Sequence, residues 1–500
     1  MLPRLWRAKS EPGKDAGSPR TNQYVGDRGR GQATLCSRKR PGGHCRPGHS
    51  ISIAVAVGAA AVGILVWRVL AWPAATGYDA WAYTAWGQAL ARLERPLYEV
   101  GATTPKPLAT LLALPVVPLP PERAFPLVVA VFAGVLAGAL FAAARREAGT
   151  LAGVGALAAL AFGVRLEPIL WFGHSDAITA ALVVLGVALR RWPRVAALVL
   201  AGLLRPEAWL VAGFAAAWEA RGPLRRAAFG LGAFVLPALL WLVLDLVLAG
   251  DALATQNWRE GREPVDYGTL GPLGLAGRVW DRLTEAAHPL VVVAGVLGLA
   301  LHLWRSRGRD PLPAVAVVLW IGALAVEREL GIELNARYFL PVAALLALGC
   351  GLLAGAMLPE RLRGRFPWPA AAAAVAILAV AAATMGFGPA RREAARSDAV
   401  EDTLPLLERP LDCGILATTG TRQSAAVIPQ LAASSRESLH RFAVYEPSGK
   451  YAAVLLFEAH RFESGRKARG LRRQAERAQL PPWPLEETAL GPLADDPDCA

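Results

Sequence analysis

Long apolar stretches alternate with short arginine-rich ones along most of this chain. A helix needs roughly 20 residues to cross a bilayer, and apolar runs close to that length fall at 51–72, 124–144, 149–164, 177–189, 227–249, 288–304, 311–326, 336–356 and 367–387. The pattern predicts a mainly α, polytopic transmembrane bundle. One more run, 195–218, carries Arg205, Pro206 and Glu207 at its centre. It reads either as a single span with a buried ion pair or as two half-helices that turn at the proline.

Charge chooses between the two. Dense arginine clusters mark cytoplasmic loops. If 195–218 goes out and comes back, and the basic N-terminus is cytoplasmic, the clusters at Arg145–Arg146, Arg190–Arg194, Arg221–Arg226, Arg305–Arg309 and Arg361–Arg365 all lie on one side. A single crossing would export every later cluster, so the half-helix hairpin is expected. Segments 73–123, 165–176, 250–287, Glu327–Arg337 and 388–500 then face outward. The expected organisation is a disordered basic cytoplasmic tail (1–50), a transmembrane domain (51–387) with a large first outer loop (73–123), and a small extracytoplasmic α/β domain (388–500). In that last domain Cys413–Ala417, Arg441–Tyr445 and Tyr451–Phe457 read as strands, with Glu446–Gly449 turning between the second and third. Ala425–Ala433 and about 463–479 read as helices.

Composition agrees with a multi-pass protein of the cell membrane. Of 500 residues 54% are hydrophobic, and the net charge of +13 is carried mostly by arginines scattered between apolar runs. Basic residues spread in this way form no nucleic-acid surface. The first fifty residues have no apolar h-region, so 51–72 reads as an uncleaved signal anchor. Cys36, His44, Cys45 and His49 match no common zinc spacing, and a solvated basic tail is the preferred reading. A Cys413–Cys499 disulfide is open to an extracytoplasmic domain. Walker, HExxH and Rossmann patterns are absent.

Candidate chemistry gathers in the outward segments. Asp79 starts a stretch with Trp81, Tyr83 and Trp86, expected to form an amphipathic helix in the interface plane. The carboxylate is either an N-cap or placed to meet solvent and lipid headgroups together. Lys106 is the only lysine between residues 51 and 387 and lies between two prolines. It reads as a snorkelling anchor or as a fixed cation suited to a phosphate. Arg165, Glu167, His174 and Asp176 share a short segment between two runs, and Asp176 is also a candidate cap for the helix after it. Arg205 and Glu207 mark the hairpin tip. Arg337 opens the 336–356 run, as an interfacial anchor or a phosphate ligand. His288 and Asp245 read as structural.

Taken in order, these segments resemble the GT-C superfamily of membrane glycosyltransferases. Tyr78-Asp79-Ala80-Trp81-Ala82-Tyr83, Pro96-Leu97-Tyr98 and Pro105-Lys106-Pro107-Leu108 look like the first-loop motifs of polyprenol-phosphate-mannose-dependent mannosyltransferases. His174-Ser175-Asp176-Ala177 followed by Gly202-Leu203-Leu204-Arg205-Pro206-Glu207 is similar to the protein-mannosyltransferase-like branch, and Arg337-Tyr338-Phe339-Leu340-Pro341 to a late span common to many members. A lone Asp79 stands where several branches carry paired acidic residues, and Lys106 replaces an aromatic element. The resemblance implies a bundle of GT-C type and transfer of a sugar, mannose being one candidate, from a polyprenyl-phosphate donor to an extracytoplasmic glycan, lipid or protein. Asp79 would be the general base. Lys106, Arg205, Arg337, His174, Asp176, Glu207 and Tyr83 would bind the donor phosphate and substrate. No cofactor is required by this reading, and a divalent cation stays an open alternative. The competing readings are a GT-C-like scaffold without transferase activity and a transporter or flippase of lipid-linked substrates.

Overall fold

The computed structural model describes residues 48–71, 76–96, 104–166, 169–170, 172–255, 270–332, 334–358 and 367–384, with short pieces at 416–418, 430, 433, 442–444 and 453–455. The N-terminal tail, Glu167, the Cys413–Cys499 pair, the 446–449 turn and the 463–479 helix lie outside the described residues.

The described chain is mainly helical. In order come α1 (Gly48–Ala71), α2 (Tyr78–Ala91), α3 (Pro107–Ala113), α4 (Pro121–Ala148), α5 (Thr150–Gly163), α6 (Asp176–Ala188), α7 (Trp192–Gly202) and α8 (Glu207–Glu219). They are followed by α9 (Pro223–Ala249), α10 (Pro272–Ala286), α11 (Pro289–Arg305), α12 (Leu312–Glu329), α13 (Leu340–Met357) and α14 (Pro367–Thr384). A 3-10 turn over Ala336–Phe339 leads into α13. Among the described residues, four segments are long and apolar enough to cross a membrane: Ile53–Ala71, Pro121–Ala148, Pro223–Ala249 and Ala336–Met357. Only 22% of the Pro223–Ala249 window is buried, against 78% for Ala336–Met357. So α9 lines the periphery with Leu231, Leu239, Val243 and Val247 exposed, while α13 is the axis of the bundle.

Between helices in lipid there is little hydrophobic drive, and close packing of small residues takes its place. The alanine and glycine content of this chain serves that purpose. On α11 and α13 the backbones meet at Gly295, Gly298 and Gly349, where an added Cβ on Gly298 would run into the Gly349 carbonyl. Gly134 and Gly138 of α4 let α1 approach at Val62 and Gly58 in the same way.

The interrupted run is a hairpin. α7 ends at Gly202 and α8 begins at Glu207, and the two half-helices pack on each other. The Trp209 indole N–H donates to the Gly202 carbonyl at 2.8 Å and closes the turn. At the other end the feet are tied together. Buried Arg194 at the start of α7 pairs with Glu219 at the end of α8 (3.2 Å) and with Asp310 (3.0 Å). It also donates to the Leu189 carbonyl at 3.1 Å, and Arg146 donates to Ala188 at 2.6 Å, so the C-terminal end of α6 is covered by guanidinium groups. That arrangement suits the negative end of a helix.

Two expectations change. Residues 79–89 of α2 are buried on every side, with Trp81, Tyr83 and Trp86 in the core, so this helix does not lie in the interface plane. Gly87 allows it, since a Cβ there would sit 2.7 Å from the Ala113 methyl. Aromatic content alone cannot distinguish an interfacial stripe from a buried helix with aromatics on several faces. In the C-terminal region, β1 (Leu416–Thr418), β2 (Phe442–Val444) and β3 (Ala453–Leu455) form a parallel sheet in the order β2-β1-β3. The second and third strands therefore flank the first and are not a hairpin pair.

The glycine contact gives a direct test. Gly298→Val should destabilise by about 1–3 kcal/mol through overpacking, read as a lowered unfolding temperature in detergent. Gly322→Ala on α12, where an added Cβ meets nothing within 4 Å, should leave that temperature unchanged or slightly higher.

Candidate functional site

Four helix starts and one 3-10 turn bring ionisable side chains to one end of the bundle. Asp79 is the second residue of α2, Asp176 the first of α6 and Glu207 the first of α8. Lys106 immediately precedes α3, and Pro107 at the first helical position fixes where that helix begins. Carboxylates are favoured at helix N-termini by the local dipole. None of these three serves as a cap: the residues before α2, α6 and α8 are Gly77, Ser175 and Pro206, and none makes a side-chain capping bond. The capping readings of Asp79 and Asp176 are thus replaced by ion pairing.

The Arg337 guanidinium joins the cluster. Its Nη1 donates to Asp79 Oδ2 at 2.5 Å and lies 2.9 Å from His174 Nδ1, and its Nε is 3.7 Å from Asp176 Oδ2. His174 Nδ1 is 3.0 Å from the same Asp79 oxygen. Below this layer, Arg205 donates to Asp176 Oδ1 from Nε (3.0 Å) and Nη2 (2.6 Å), and its Nη1 is 3.5 Å from Glu207 Oε1. Lys106 Nζ donates to Ser175 Oγ at 2.8 Å, and the Tyr83 hydroxyl donates to the Thr104 carbonyl at 3.3 Å. The structure therefore gathers Asp79, Lys106, His174, Asp176, Arg205, Glu207 and Arg337 into one cluster, with Tyr83 beside it. Arg165 is exposed.

Burial grades through the cluster. Glu207 is 1% exposed, while the His174 and Arg337 side chains are 13% and 18% exposed and form its open rim. The hairpin sets the depth. Helices of 11 and 13 residues rise about 16 and 20 Å, against a hydrocarbon core of about 30 Å. Measured from its feet at the Arg194 end, each half-helix is thus shorter than that core is thick.

Several acceptors have no donor. Asp79 Oδ1, Asp176 Oδ2 and both Glu207 oxygens are buried without a hydrogen-bond partner. Burial alone would push the Asp79 carboxyl up. Arg337, then His174 and Lys106, outweigh it and hold Asp79 well below the usual carboxylate range. Lys106 moves the other way, to about 8: burial lowers it most and the repulsion of Arg205 and Arg337 adds to that, against the attraction of Asp176 and Asp79. Among the described residues no three His, Cys, Asp or Glu side chains are gathered to hold a metal ion, because each carboxylate of the cluster faces a guanidinium. The described residues of the cluster are therefore occupied with one another, and no step below passes through a divalent cation.

Two members were not among the sequence-derived candidates. Ser175 is fully buried and holds the lysine; nothing but its place between His174 and Asp176 signalled it. The Tyr338 ring lies under the Arg205 guanidinium, 3.6 Å from centroid to Cζ. Its neighbour Arg337 was a candidate, but a ring contact from a distant helix leaves no trace in spacing.

Fold and site together define a helical membrane protein with a recessed ionic cluster. No family model matches the chain, and no curated protein does. Among solved structures it is similar to one described as the archaeal oligosaccharyltransferase AglB from Archaeoglobus fulgidus in complex with an inhibitory peptide and a dolichol-phosphate. The TM-score is 0.45 at 13% identity, covering 86% of this chain and 68% of that one.

Breaking one side of a buried ion pair leaves an uncompensated charge and costs about 3–5 kcal/mol. Asp176→Ala should therefore lower the unfolding temperature sharply. Combining Asp176→Ala with Arg205→Met and Glu207→Gln, which leaves no member of the group unpaired, should recover much of the loss, and a triple variant as unstable as the single one would show that these pairs are not the stabilising unit.

Proposed function

We propose that this chain is a membrane glycosyltransferase that moves a sugar from a polyprenyl-phosphate donor to an extracytoplasmic acceptor hydroxyl. One observation carries the reading. Three cations and three carboxylates from distant parts of the sequence meet in a single buried cluster within a membrane bundle, with an unpartnered oxygen left on Asp79. The ordered resemblance of the loop motifs to GT-C enzymes points the same way.

The chemistry assigns separate tasks to the two kinds of charge. The acceptor hydroxyl donates to Asp79 Oδ1, the acceptor oxygen bonds to the anomeric carbon, and the bond from that carbon to the phosphate oxygen breaks. The electron pair leaves with the phosphate, and the hydroxyl proton passes to Asp79 as general base. Lys106, Arg205 and Arg337 stabilise the charge that grows on the departing polyprenyl phosphate. His174 orients the Asp79 carboxylate through Oδ2. Tyr83, Asp176 and Glu207 fix the phosphate ligands. The polyprenyl chain stays in the bilayer, and the glycan, lipid or protein acceptor enters from the aqueous side.

The Asp79–Arg337 pair makes this base conditional. While Arg337 is its counter-ion, Asp79 is too acidic to take a proton from a hydroxyl. A donor phosphate competes for that guanidinium, and as Arg337 turns to it Asp79 becomes more basic. Proton acceptance is then tied to the presence of donor.

Asp79→Asn should lower transfer at least about 10²-fold, in the range expected for loss of a general base, with normal membrane insertion. Product formation at the wild-type rate in membranes supplied with labelled polyprenyl-phosphate sugars would remove Asp79 from the chemistry. Absence of product from the unaltered chain would instead favour a chain that moves lipid-linked substrates without transferring them.

Lys106 provides a pH signature. It is cationic below about 8, so affinity for the anionic donor should be full below that pH and fall as pH rises through it. Lys106→Arg should keep binding and lose the inflection, because arginine stays charged. Lys106→Ala should weaken donor binding below that pH and remove the inflection, whereas Arg205→Ala should weaken it at every pH.

A further inference from the structure

Helix α10 has three faces, and the site already described uses only one of them. Leu275, Val279, Leu283 and Ala286 are half-buried or buried, and they turn toward the Ala336–Phe339 turn and the ends of α11, α12 and α13 that α10 touches. Arg278, Asp281 and Glu285 form an exposed charged face, with Glu285 paired to Arg282 at 2.7 Å. The third face is apolar and open: Leu273 is 91% exposed, Trp280 is 48% exposed, and Ala276 lies between them. At about 100° per residue, this stripe is centred roughly 140° from the charged face and roughly 100° from the protein-facing one.

The chain leaves little choice about what covers that stripe. The Arg165 N–H donates to the Ala286 carbonyl at 2.9 Å and the His288 N–H to the Gly163 carbonyl at 2.7 Å, which staples the end of α10 to the end of α5. Three residues after α10 the chain enters α11, whose exposed Leu290, Val293 and Leu297 belong to the apolar periphery of the bundle. The open stripe is therefore continuous with the surface that meets lipid, while the charged face points away from it. A helix with protein on one flank, charge above and a tryptophan-bearing apolar stripe below is built for the bilayer interface.

We infer that α10 is a membrane-surface helix whose Leu273–Ala276–Trp280 stripe is seated in the leaflet on the cluster's side, and that it forms the lipid-facing threshold of the recess. Its inner face rests on the turn that carries Arg337. Seating α10 in lipid therefore holds the wall from which Arg337 reaches the cluster. This second part rests on the proposed function; the seating itself does not.

The two parts have separate tests. Spin labels at positions 273, 280, 278 and 285, in a background with the five cysteines replaced by alanine, are compared in lipid nanodiscs. Positions 273 and 280 should be reached by oxygen and shielded from a water-soluble nickel chelate, with 278 and 285 the reverse. Free access of the chelate to 273 and 280 would overturn the seating. Protection from both reagents would overturn it too, since that outcome means the C-terminal region or another protein covers the stripe. For the threshold, the double variant Leu273→Glu/Trp280→Glu should raise KM about tenfold for a full-length polyprenyl donor, through lost interfacial burial. It should leave KM for a water-soluble short-chain donor and the kcat unchanged. An equal loss with both donors would reject the threshold role and leave the depth result standing.

Discussion

Everything at the functional end of this molecule depends on charge neutralised by charge where water is scarce. Asp79, Asp176 and Glu207 face Arg205 and Arg337 across a few ångströms, with Lys106 held beside them by Ser175, at positions 7% exposed or less for the carboxylates and the lysine. An isolated ion at that depth is costly, and pairing with good geometry is what makes it tolerable. Each member thus constrains the others. α2, α6, α8, α3 and the 336–339 turn must meet at one place, or several helices would carry an unpaired charge into an apolar bundle.

The same requirement explains why the membrane part contains a broken helix. A continuous 195–218 helix would carry Arg205 past Asp176 and separate the feet that Arg194, Glu219 and Asp310 hold together. Breaking at Leu203–Pro206 costs backbone hydrogen bonds, which is acceptable only where protein lines the break. Here the Trp209 indole takes the Gly202 carbonyl and the Tyr338 ring covers the Arg205 guanidinium. One end of the hairpin is therefore a rigid anchor and the other presents the site.

The sequence made much of this legible, for identifiable reasons. Apolar run length located α1, α4, α9 and α13 because a bilayer sets a length scale that soluble domains lack. Arg205-Pro206-Glu207 stood out because charge inside an apolar run is rare. The same argument picked out Asp79, Lys106, His174, Asp176 and Arg337. The environment of α2 was not legible. Trp81, Tyr83 and Trp86 suit either an interface or a core, and only the small residues of neighbouring helices, Ala113 among them, decide for the core. Ser175 and Tyr338 were hidden because a serine and a tyrosine near charged neighbours are ordinary until a third element brings Lys106 and Arg205 to them. The order of the three strands was not legible, because a Pro-Ser-Gly stretch signals a turn without saying whether the strands it joins are neighbours.

Neutrality of the cluster also bears on what it can bind. With charges balanced three against three, a site in this state attracts neither a bare anion nor a bare cation strongly. A phosphate must win Arg337 from Asp79, or Lys106 from Ser175, and each exchange frees a group that the ligand's other end can use. The freed Asp79 accepts from a hydroxyl and the freed Ser175 can donate to one. A ligand carrying both a phosphate and hydroxyls gains on both counts, whereas inorganic phosphate gains on one. Selectivity for a phosphate bonded to a sugar can thus arise from the internal pairing itself, before any contact that reads which sugar it is.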